Sequence, residues 1–87
     1  MDDDQLAQRL FAVVRDQAAT DARGLAMMQS AFDSGGDPFY VIADAVSYLD
    51  PATMPTDVRA AYGAYRAAVT DPNWLTVLPE PTRKSAG

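Results

Sequence analysis

Apolar positions in the first third of the chain recur with a helical period. At about 100° per residue, Leu6, Leu10, Val13, Val14, Leu25, Met28 and Phe32 fall within one arc of roughly 120°, with Phe11 near its edge. The phase does not reset across Thr20-Asp21, which predicts one long helix over residues 3–33, about 45 Å from end to end. Two features argue for a division instead. Thr20 and Asp21 are residue types that cap helices, and Gln17 and Asp21 lie four apart in the middle of the apolar arc. If buried, Asp21 needs a partner such as an arginine or tyrosine of a later helix; a local break leaves both groups in water. Gly24 also lies inside the stretch, at a cost near 1 kcal/mol relative to alanine.

Three Asp-Pro steps punctuate the rest of the chain: Asp37-Pro38, Asp50-Pro51 and Asp71-Pro72. An aspartate at the N-cap followed by proline at the first helical position is a helix start, and Asp37-Pro38, after Ser34-Gly35-Gly36, is the clearest of them. Shorter helices follow over residues 38–49 and 57–70, then an apolar piece at 73–78 and a flexible tail at 81–87. No segment alternates with period 2 for long enough to form a strand. The fold class is all-α: a long N-terminal helix packed by two shorter ones, in a single domain over residues 1–80.

The second and third helices carry more apolar surface than one buried face requires. Phe39, Ile42, Ala43, Val46 and Leu49 share one side of the second helix, while Val41, Ala45 and Tyr48 form a strip nearly opposite. In the third, Val58, Ala61, Tyr62, Tyr65 and Val69 make a bulky face and Ala60, Gly63, Ala64 and Ala67 a face of small residues, flanked by Arg59 and Arg66. Such surplus implies burial between neighbours or an exposed contact surface. Trp74, the only tryptophan, either packs over the end of the bundle or stands out as an anchor for a partner.

Composition narrows the function classes. The 87 residues include no cysteine and no histidine, which removes disulfides, thiolate chemistry, imidazole bases and His/Cys metal sites. Seven basic residues against twelve acidic give a net charge of -5, and the basic residues are scattered, so direct binding to nucleic acid or to an anionic membrane surface is not expected. No apolar run approaches the ~18 residues of a membrane span, and the acidic start Met1-Asp2-Asp3-Asp4 is unlike a signal peptide, so a cytoplasmic protein is expected. Aspartate outnumbers glutamate eleven to one, arginine outnumbers lysine six to one, and sixteen alanines accompany a single isoleucine. That bias fits GC-rich coding, as in a high-GC bacterium or its phage, and the aspartates also suit helix caps and turns.

The clusters that invite a chemical reading have simpler structural ones. Asp2-Asp3-Asp4 lacks a fixed metal cage but suits a helix N-terminus. Asp33-Ser34-Gly35-Gly36-Asp37 lacks the ligand spacing of a calcium loop and the lysine of a phosphate loop, and reads as a helix stop followed by a helix start. Its Asp33-Ser34 step, in a short acidic helical chain, superficially resembles the Asp-Ser of acyl carrier proteins, which would imply a phosphopantetheine on Ser34. That family continues with a hydrophobic residue straight into its second helix, whereas Gly35-Gly36-Asp37-Pro38 follows here, so the resemblance covers two residues and gross composition. No pair of carboxylates is singled out by spacing, and so short a chain leaves little room for an active-site pocket beside a core.

These observations lead to the expectation of a non-enzymatic, cofactor-free and metal-free module that binds a protein partner or itself. The candidate contact residues are Leu25, Met28, Phe32, Val41, Tyr48, Arg59, Tyr62, Arg66 and Trp74. An alternative from another class is an acidic inhibitor that mimics nucleic acid on a nuclease or DNA-binding protein. Its binding would fall steeply with salt, whereas apolar docking would barely change.

Overall fold

A computed structural model describes residues 1–80 of the chain; the tail read at 81–87 lies outside the described residues. The architecture is all-α: α1 (Asp3–Asp16), α2 (Ala22–Asp33), α3 (Pro38–Tyr48), a 3-10 turn (Pro51–Thr53), α4 (Thr56–Ala68) and the single turn α5 (Pro72–Leu75).

The stretch 3–33 is thus two helices rather than the one its phase predicts. α1 ends as Gln17 N–H donates to the Val13 carbonyl, 2.9 Å away, and Ala18 takes a positive φ of 50°. Asp21 then caps α2, its carboxylate accepting from Gly24 N–H at 3.0 Å. The break removes the polar residues from the apolar arc. Asp21 is exposed, and Gln17 turns to the far side of the chain, where its Nε2 donates to the Thr53 carbonyl at 3.0 Å and its Oε1 accepts from Thr53 Oγ1 at 3.3 Å. The phase survives because α1 and α2 both pack on α3, so each keeps its apolar stripe turned to that helix.

Gly24 follows from the same corner. A Cβ at this position would stand 2.3 Å from Thr20 Oγ1 and 2.9 Å from Thr20 Cγ2. The closing residue of the turn occupies the space a side chain would need.

α3 is the hub. Phe39, Ile42, Val46 and Leu49 are buried on one side and Val41 and Ala45 on the other, so the second apolar strip is covered within the chain. Only Tyr48 of that strip is exposed. α4 packs on α1 through Val58 and Tyr62, both fully buried. At the surface Arg9 of α1 meets Asp57 of α4 at 2.9 Å, holding that carboxyl below its ordinary range; such an exposed pair contributes little to stability. Phe11 and Phe32 meet edge to face at 5.6 Å and close the angle between α1 and α2.

The C-terminal segment is strapped to α4. Leu78 is 1% exposed and joins the core, the Tyr62 hydroxyl donates to the Pro79 carbonyl at 2.6 Å, and Arg66 Nε donates to the Leu78 carbonyl at 2.8 Å. Apolar burial and two hydrogen bonds therefore hold a segment with little helix of its own.

Much of the aspartate excess is cap chemistry. Asp2, Asp21, Asp37, Asp50 and Asp71 each accept a backbone N–H at the start of a helix or 3-10 turn; α4, which begins after Pro55, has no side-chain cap. At α1 the cap is reciprocal, with Gln5 Oε1 accepting from Asp2 N–H, and Asp3 and Asp4 occupy the first turn, where negative charge meets the positive helix end.

Candidate docking groove

One face of α4 is left uncovered. Ala64 and Ala68 are exposed and Ala61 half-buried, and together with Tyr65 and Val69 they form one side of a groove of about 720 Å³. The other walls come from distant parts of the chain: Met1, Asp3 and Leu6 at the start of α1, Asp37 at the cap of α3, and Thr70, Asp71 and Trp74 around α5. A volume of this size lies within the range of ligand sites. The groove is partly open to solvent, however, which admits a segment of polypeptide.

Trp74 is placed by two devices. Asp71 and Pro72 start α5, the Asp71 carboxylate accepting from Asn73 N–H at 2.9 Å, and the indole stacks on Phe39 with ring centres 4.3 Å apart. Trp74 nonetheless stays 42% exposed. One face of the indole thus rests on the bundle, and part of its surface remains open beside the alanines.

The electrostatics of the groove are one-sided. Asp3, Asp37 and Asp71 line it, and no lysine or arginine does among the described residues. Two long helices, α1 and α3, present their N-termini there, each worth about half a positive charge. Set against three carboxylates, that leaves the rim at about -2. Tyr65 registers this field: its hydroxyl is pushed up to about 12, first by burial and then by the charges of Asp3 and Asp37. Tyr62 is likewise pushed up to about 12 by burial, against the opposing charge of Arg66.

Of the nine contact residues expected from sequence, only Trp74 lines this groove. Met28, Val41 and Tyr62 are core residues, 0%, 2% and 0% exposed, and present no surface to a partner; their helices cover them with each other. Leu25 and Phe32 are half-buried against the core. Arg66 is spent on the C-terminal strap, Arg59 is half-buried, and Tyr48 is exposed on α3 outside the groove. The residues missed are Asp3, Asp37 and Asp71 together with Tyr65, Ala61 and Ala68. Their signal was weak: of the small-residue face Ala60, Gly63, Ala64 and Ala67 only Ala64 lines the groove, Ala61, Tyr65 and Val69 belong to the face read as bulky, and the walls opposite depend on how four helices meet.

Elsewhere, Ser34 stands at the C-cap of α2 with its hydroxyl donating to the Ala31 carbonyl at 3.0 Å, and Gly35 takes a φ of 71°, the left-handed turn expected of a helix stop. Among the described residues no three carboxylates gather where they would hold a metal ion, and no helix is long and apolar enough to cross a membrane.

Fold and groove together define a small all-α protein with a cleft lined by alanines, aromatic rings and carboxylates. No family model, no curated protein and no solved structure matches the chain.

Proposed function

We propose that this chain is a small non-enzymatic protein-interaction module, an adaptor, regulator or assembly subunit, that docks a protein partner or a second copy of itself along the exposed face of α4. The observation that carries this reading is the groove itself: apolar alanines and a partly exposed indole brought together in one concave surface. An exposed aromatic next to small side chains is the composition of an interface anchor.

Reaction chemistry finds less support. The chain contains no imidazole or thiol, and the hydroxyl of Tyr65, the tyrosine that lines the groove, is pushed up to about 12, far from the range in which a general base works at neutral pH.

The test is affinity capture with the native chain and with Ala64→Trp, a substitution at an exposed position that fills the groove without entering the core. A partner retained by the native chain and lost by A64W supports the reading. Equal capture by both proteins, or no partner together with a monomer at every concentration in sedimentation, contradicts it.

A further inference from the structure

We infer that the occupant of the groove is a basic amphipathic helix of a partner protein, its apolar side laid on the alanines of α4 between Tyr65 and Trp74 and its lysines or arginines facing Asp3, Asp37 and Asp71. This rests on the docking reading above and adds the chemistry of the partner.

Three features lead to it. One wall is built from Ala61, Ala64 and Ala68, spaced as one helical stripe, where another backbone approaches closely without displacing a side chain. Asp37 and Asp71 each use one carboxylate oxygen on a helix cap, at 2.9 Å in both cases, so they are fixed in place with the second oxygen available to a cation. Neither they nor Asp3 joins an ion pair among the described residues, in contrast to Asp57 and Asp16, which do. Rigid carboxylates beside an apolar wall recognise a ligand that is apolar in the middle and cationic at its edges. A second copy of this chain is the poorer complement, since it carries a net charge of -5 and would bring further carboxylates to the same rim.

Trp74 provides the readout, being the only tryptophan and a wall of the groove. The full chain is titrated with three synthetic helical peptides of the same leucine and alanine pattern, whose polar positions are all lysine, all glutamine or all glutamate. The lysine peptide is expected to shift Trp74 emission to the blue and to bind at least about tenfold tighter than the glutamine peptide, with the glutamate peptide weakest. Raising salt from 50 to 500 mM should narrow that order. Asp3→Asn, which alters no cap, should weaken the lysine peptide about threefold and the glutamine peptide by less. Equal binding of the lysine and glutamine peptides, or no binding of either, overturns the inference. In those cases a partner lost by A64W in the capture experiment would leave the docking reading standing.

Discussion

Gly24→Ala separates the broken first segment from a continuous helix. In a straight, open helix this change stabilises by about 0.8–1 kcal/mol, because alanine loses less backbone freedom than glycine. In the corner between α1 and α2 the new Cβ would lie 2.3 Å from Thr20 Oγ1, 2.9 Å from Thr20 Cγ2 and 3.1 Å from Thr20 Cβ. Overpacking of that kind costs about 1–3 kcal/mol, which meets or exceeds the propensity gain. The single mutant is therefore expected to range from neutral to about 2 kcal/mol less stable. The sharper quantity is its coupling to Thr20. Thr20→Ala removes the two closest atoms, so on that background Gly24→Ala should recover most of its gain. A double-mutant cycle by urea denaturation, followed by far-UV circular dichroism, is expected to show a coupling of about 1–3 kcal/mol. In a domain of this size each 1 kcal/mol moves Tm by about 4–8 °C, so the effect is also within reach of thermal melts. A stabilisation near 1 kcal/mol on both backgrounds, with no coupling, would refute the corner and restore a single long helix.

Further outcomes follow from the same structure. Ala18→Gly, at a φ of 50°, should stabilise the protein by about 0.5–1 kcal/mol, since the left-handed region costs an L side chain about 1–2 kcal/mol and glycine returns part of that as unfolded-state entropy; equilibrium unfolding reads it. Leu78→Ala should cost about 2–5 kcal/mol by emptying a core position and should release Trp74, seen as a red shift in its emission. Asp50→Ala and Asp21→Ala should each cost about 1 kcal/mol as lost caps, while Asp44→Ala, exposed and outside any cap, should stay within about 0.5 kcal/mol in the same denaturation series. The raised Tyr62 and Tyr65 hydroxyls favour the folded state fully below pH 10, where both states are protonated. Above that the unfolded chain ionises first, so stability is lost as pH climbs from 10 towards 12, by about 2–3 kcal/mol for Tyr62; Tyr62→Phe should flatten that part of the pH profile.

The all-α class and the helix start at Pro38 were legible because Asp-Pro chemistry is local: the cap and the fixed φ act within a few residues. Asp71-Pro72 reads as the end of the third helix, and it also starts α5. α3 and α4 lie close to their expected spans, but α4 has no side-chain cap and was legible from its apolar period alone. The break after Asp16 was harder. Phase reports only the direction in which side chains face, and two helices packed on the same neighbour face alike. The polar pair Gln17 and Asp21 was the visible sign of it, and its meaning depended on Thr53, distant in sequence. The apparent surplus on α3 was read correctly as a pattern, but the outcome depended on a neighbour for each face, and α1 and α2 supply both. The groove was the least legible feature. Asp37 and Asp71 are explained in sequence by their caps, and Asp3 by its helix end; only the convergence of α1, α3, α4 and α5 gives the three carboxylates a common cleft.

The docking reading is tested most directly by photo-crosslinking in living cells, with benzoylphenylalanine placed either at Thr70, exposed and lining the groove, or at Ala26, exposed on α2 outside it. A partner protein adduct from Thr70 that is absent from Ala26 and abolished by Ala64→Trp is the expected result. Adducts of equal yield from both positions, or an adduct from Thr70 that survives A64W, would contradict it.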